Sequence, residues 1–128
     1  GAEKLIEVHV DGAKDRDQAK TVAKAIVNSP LVKTAVHGAD PNWGRVAMAV
    51  GKCSQYLDIN QDNVVIRFGS QEVYPTQVDA EGLANLSQYM RGKDVRIHVS
   101  LATGTSDATV WGCDLTDGYV RINADYTT

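Results

Sequence analysis

Two stretches alternate apolar and polar residues strictly enough to leave the backbone little choice. In Val95 to Leu101, the residues Val95, Ile97, Val99 and Leu101 share one face, while Arg96, His98 and Ser100 share the other. Leu5 to Val10 repeats the pattern, with Ile6, Val8 and Val10 opposite Glu7 and His9. A period of two belongs to a strand with one face buried and one in water. The chain must therefore form a sheet and cover its apolar side. A cover is at hand: Asp15 is placed to cap a helix in which Ala19, Val22, Ala23, Ile26 and Val27 recur at helical spacing. Gln18 completes a start like a capping box, and Asn28-Ser29-Pro30 is read as the stop.

Leu31 to Val36 reads as a short, largely buried strand feeding the stretch from His37 to Lys52. There Asp40 is expected to cap a helix that begins with Pro41, since an Asp side chain accepts first-turn amides and proline loses nothing at the first position. Trp43, Val46, Ala47 and Val50 then make one buried stripe, and Gly51 is expected to stop the helix. Gly44 costs about 1 kcal/mol against alanine in such a place, which suggests a close approach. Asn42, Trp43 and Arg45 put polar, aromatic and cationic groups at a helix N-terminus, where anions are favoured. A capped core helix with a surface arginine explains the same residues, and both readings stand.

Cys53 to Asn63 is polar and is expected to be an irregular connection. Val64 to Phe68 and Glu72 to Tyr74 make a hairpin around Gly69-Ser70-Gln71, ended by Pro75. Asp79 caps a helix over Glu81 to Met90, with Leu83, Leu86 and Met90 on one side and Gly92 at the stop. Ala108 to Cys113 returns as a strand expected to lie antiparallel to Val95–Leu101. Thr116 caps a last helix striped by Tyr119, Ile122 and Tyr126. The order β-α-β-α-ββ-α-ββ-α predicts a single α+β domain over residues 1–128, with a mixed or antiparallel sheet and helices packed on a face.

With 43% hydrophobic and 23% charged residues, the chain has the make-up of a soluble globular domain. A net charge of −3 and scattered basic residues speak against a nucleic-acid surface, and no apolar run reaches membrane-spanning length. Cys53 and Cys113 fit no metal or redox spacing and read as reduced cysteines of a cytoplasmic protein. His9 and His98 lie on the polar faces of their strands and read as surface histidines. His37, at a turn beside Asp40, reads equally as a plain turn histidine or as part of a site. No metal site is expected from these spacings. Gly1 in place of a methionine, so close to a strand, reads as the start of a fragment, a processed chain or an expression boundary.

The C-terminal segment is dense in specific chemistry. In a helix, Asn123 lies one turn after Tyr119, on or beside the apolar face, and a buried amide must be satisfied by backbone or by a ligand. A structural hydrogen bond and recognition of an amino-acid-like substrate explain it equally well. Gly38-Ala-Asp-Pro-Asn-Trp-Gly-Arg45, Trp111-Gly-Cys-Asp-Leu-Thr116 and Tyr119-Val-Arg-Ile-Asn-Ala-Asp-Tyr126 together resemble the ornithine acetyltransferase family, also called bifunctional glutamate N-acetyltransferase, of arginine biosynthesis. Gly1 to Val8 and Asn28 to Ala35 match it as well, with Glu3 where the family usually has threonine. The resemblance covers the whole chain, in register, but only about the C-terminal third of a family member.

The resemblance implies a precursor that cleaves itself before a threonine, which becomes the N-terminal nucleophile of the β chain. That threonine takes acetyl from N-acetylornithine and passes it to glutamate, and bifunctional members also accept acetyl-CoA. No other cofactor is implied. No threonine of this chain sits in the nucleophile motif, so the resemblance implies no catalytic residue here. It implies that Asn123 and Thr128 bind substrate, and that a substrate-contacting glutamate falls just before Gly1. The expected partners are an amino-acid substrate, the α chain and the N-terminal part of the β chain, in a hetero-oligomer. A free-standing, non-catalytic amino-acid-binding or oligomerisation domain of the same descent is the alternative. On this resemblance Asp40, Asn42, Trp43 and Arg45 fix a corner and hold the domain against the catalytic part. Binding of a substrate carboxylate by Arg45 stays open.

Overall fold

The computed structural model describes residues 4–114, and for residues 55–57 the backbone alone. The helix expected from Thr116 to Tyr126 lies outside the described residues. The chain runs β1 (Leu5–Ala13), α1 (Arg16–Val27), α2 (Pro30–His37), α3 (Trp43–Leu57), a 3₁₀ turn (Gln61–Asn63), β2 (Val65–Phe68), β3 (Gln71–Tyr74), α4 (Ala80–Met90), β4 (Asp94–Ser100) and β5 (Ser106–Cys113). The strands form one mixed sheet in the order β3-β2-β4-β1-β5, so the α+β expectation holds. The β1–β4 pair is parallel and the other pairs are antiparallel.

Both alternating strands behave as their pattern requires. Ile6, Val8, Val10, Val95, Ile97, Val99 and Leu101 are buried, with Ile66, Phe68 and Val73 beside them. Helix α1 packs on β1 and β5, α3 packs on α1 and reaches β2, and α4 lies against β4. The opposite face of the sheet carries Glu7, His9, Arg96, His98 and Trp111. Trp111 is 59% exposed, its indole N–H donating to Glu7 Oε1 at 3.2 Å. Among the described residues no helix is long and apolar enough to cross a membrane.

The start of α1 is as the sequence predicts. Asp15 Oδ1 accepts from the amide of Gln18 at 2.7 Å, and Gln18 Oε1 reaches back to the amide of Lys14 at 2.9 Å. Four expectations are corrected. Leu31 to Val36 is helical, because Ser29-Pro30 starts an element as well as ending one. Ser29 Oγ accepts from the amide of Val32 at 3.3 Å, with Pro30 at the first helical position and Val32, Ala35 and Val36 buried on one stripe. The cap of α3 is Asn42 rather than Asp40, and Pro41 lies outside the helix.

Helix α3 also does not stop at Gly51. It continues through Cys53 to Leu57 and ends at Asp58, whose φ of 54° is left-handed. Gly51 instead makes room: a Cβ there would come 2.9 Å from Gln61 Nε2, which donates to the carbonyl of Ala47 at 3.1 Å. Finally, β5 pairs with β1, not β4. The loop after β4 crosses the end of β1, where the amides of Thr103 and Gly104 donate to the carbonyl of Gly12 at 2.7 and 2.9 Å. Gly12 takes φ +65° there, and a Cβ on Gly104 would overlap the Ala13 carbonyl oxygen. Thr103 Oγ1 donates to Gln18 Oε1 at 2.6 Å, fastening the crossing to α1. The chain thus lands on the far side of β1.

Candidate functional site

The turn from α2 into α3 forms one wall of a cleft of about 600 Å³. Asp40, Pro41, Asn42, Trp43 and Gly44 line it, facing Leu83, Ala84 and Ser87 of α4. Asn42 Oδ1 accepts from the amide of Arg45 at 3.2 Å, and Asn42 Nδ2 donates to Asp40 Oδ2 at 3.3 Å. Asp40 therefore supports the cap without being it. Trp43 lies against Tyr74, the ring centroids 4.9 Å apart. A Cβ on Gly44 would sit 3.3 Å from Asn42 Oδ1, so the close approach expected at this glycine is to the capping oxygen itself. The expected trio divides: Arg45 turns away, donates to the carbonyl of Leu31 at 2.9 Å, and lines a separate hollow of about 290 Å³ with Ser29, Met48 and Lys52. The cleft thus offers amide and carboxylate groups beside an indole, and no guanidinium.

A second group ties the start of β1 to the end of β5. Asp114 is fully buried. Its Oδ1 accepts from the backbone amide of Lys4 at 2.9 Å, and its own amide donates back to the Lys4 carbonyl at 3.1 Å. His37 Nδ1 lies 2.9 Å from the other carboxylate oxygen. Lys4 Nζ donates to the carbonyls of Met90 at 2.6 Å and Val36 at 2.9 Å. Those carbonyls close α4 and α2, the helix ends where a cation is favoured. Buried Lys33 donates to the carbonyl of Cys113 at 2.9 Å. Of the two readings of His37, the structure supports a structural partner for Asp114. Lys4, Lys33 and Asp114 escaped the sequence reading. Their one local signal is Lys33, a lysine inside an apolar run.

His9 and His98, read separately as surface histidines, are brought together on the open sheet face. Their rings lie 5.2 Å apart, His98 Nε2 is 2.8 Å from Asp11 Oδ2, and His9 Nδ1 is 2.8 Å from Thr109 Oγ1. Burial works against ionising Asp11, but hydrogen bonds from Ser100 and His98 and the positive charge of both histidines outweigh it and hold the carboxyl below its ordinary range. Burial pushes the Cys53 thiol up. Asn123 and Thr128, the residues expected to bind substrate, lie outside the described residues.

The sequence matches the ArgJ family across residues 1–128. It is 65% identical over its whole length to "Arginine biosynthesis bifunctional protein ArgJ 2" of Nostoc sp., covering 33% of that protein. It is 59% identical, again over its whole length, to "Glutamate N-acetyltransferase Oat2" of Streptomyces clavuligerus, covering 34% of it. The chain thus spans about a third of the length of these curated relatives. The crystal structure of arginine biosynthesis bifunctional protein ArgJ from Bacillus halodurans superposes with a TM-score of 0.85 at 44% identity, over 98% of this chain and 59% of that one. By sequence and by fold alike, the chain belongs to the ArgJ family.

Proposed function

We propose that these 128 residues are the C-terminal part of the β chain of a glutamate N-acetyltransferase, supplying part of its substrate pocket. The observation that carries this is the match along the entire chain to a relative of that name and to an arginine biosynthesis bifunctional protein. In the complete protein a threonine outside this segment attacks the acetyl carbonyl of N-acetylornithine. Ornithine leaves as the free amine and the threonine keeps the acetyl as an ester. The α-amine of glutamate then attacks that ester, giving N-acetylglutamate and restoring the hydroxyl. The assembly joins this segment to the α chain and the N-terminal part of the β chain in the cytoplasm.

On this reading Asn123 and Thr128 hold the polar ends of the amino acid by neutral hydrogen bonds. The Lys4–Asp114 clamp supports it, because it holds the first and last described residues side by side. The test is made on the complete protein, assayed with N-acetylornithine and with acetyl-CoA as donors. Asn123→Ala is expected to raise KM for the amino acid by roughly 10- to 100-fold with the fold intact, as losing a hydrogen bond to a charged group costs about 1.5–3 kcal/mol. Unchanged kinetics make Asn123 structural. Acetyl transfer by the 128-residue chain alone would overturn the assignment of the nucleophile to another segment.

A further inference from the structure

We propose that His9, Asp11 and His98 form a binding site for a divalent transition-metal ion, of which Zn²⁺ is the representative. The parallel register sets His9 directly beside His98 and Asp11 beside Ser100. His9 and Asp11, two positions apart on β1, therefore face the same way as His98 on the neighbouring strand. One ligand atom from each of the three lies within 4.8 Å of the others. Two imidazoles and a carboxylate on one face are a donor set that suits Zn²⁺, Co²⁺ or Ni²⁺ and leaves further positions for water or an incoming group.

Three features distinguish this from a chance surface cluster. All three side chains are half-buried rather than free in solvent. They stand on two interior, directly hydrogen-bonded strands of the sheet, so their spacing is fixed by the ladder and not by a loop. An outer group already orients the ring of His9: Thr109 Oγ1 lies 2.8 Å from Nδ1, which leaves Nε2, 3.8 Å from an Asp107 carboxylate oxygen, to face the ion. Such outer partners are what set a ligand's tautomer and direction. The contact of 2.8 Å between His98 Nε2 and Asp11 Oδ2 is close to an edge of a metal's coordination polyhedron. Binding replaces that hydrogen bond with two bonds to the ion, His98 Nε2 giving up its proton while Nδ1 carries the proton of the neutral ring. The site lies on the sheet face away from the helices and stands independently of the acetyl-transfer reading.

The test is a titration of the complete, metal-stripped protein with Zn²⁺ by calorimetry and with Co²⁺ by visible absorption. We expect one saturable ion per chain, the intense bands of low-coordinate Co²⁺, and a thermal midpoint that rises with Zn²⁺. His98→Gln and Asp11→Asn should each weaken binding by about a hundredfold or more, since outer partners alone are worth about 10- to 100-fold. Thr109→Val should weaken it about tenfold, with metal-free circular dichroism unchanged. Absence of a saturable site in the parent protein overturns the proposal whatever the variants do. So does binding that survives in both folded ligand variants.

Discussion

At the scale of single residues, the most demanding position is Gly104. A side chain there meets the backbone of Ala13 and Lys14, the latter Cα at 2.7 Å from a built Cβ, and no rotamer relieves a clash with backbone. Gly104→Ala should therefore lower stability by about 1–3 kcal/mol, read from the midpoint of urea unfolding. Cys53 offers a second check. Its thiol is buried and its pKa raised, so at neutral pH iodoacetamide should label it only on the unfolding timescale. The sign follows for stability as well. Because the folded thiol holds its proton more firmly, its contribution is complete below the ordinary thiol pKa. It is lost as pH rises through the folded value, and Cys53→Ala should flatten the alkaline limb of the stability profile.

At the scale of elements, local signals were legible and shared ones were not. Asp15 and Gln18 announce α1 because the bonds that start a helix join residues three apart, all visible in one short window. Leu31 to Val36 misleads because a short apolar run carries no period of its own, and Ser29-Pro30 is as good a start as a stop. At the next corner, Asp40 and Asn42 are both capable caps two residues apart, and only the folded turn selects Asn42. This yields a paired test. Asn42→Ala should cost about 1 kcal/mol of stability, whereas Asp40→Ala, which removes only the exposed support at 3.3 Å, should cost a few tenths. Equal losses measured by chemical denaturation would return the cap to Asp40.

At the scale of the whole molecule, the sequence foretold the class of fold but not which strands meet. The alternation in Val95–Leu101 specifies a buried face and says nothing of a partner strand. His9 and His98 became neighbours only through a parallel pairing that spans most of the chain. The expected site was least accessible of all: Asn123 and Thr128 were found by resemblance and lie outside the described residues, whereas the Lys4–Asp114 clamp appears only once β1 and β5 are paired. Residue identity advertises chemistry; topology decides which chemistries share a location.

The position of β1 between β4 and β5 has a consequence for synthesis on the ribosome. Of the five described strands, the first to emerge is flanked in the sheet by the last two. One of its hydrogen-bonding edges stays open until β4 has left the exit tunnel, and the other until β5 has. Early helices can form, but the sheet cannot close from one end, so folding should be slow and dominated by long-range contacts. Throughout that interval an apolar strand with unpaired edges is available to other nascent chains. Ending translation before Ser106 should therefore yield a product that aggregates rather than a smaller folded domain, which fractionation of arrested chains by solubility will decide.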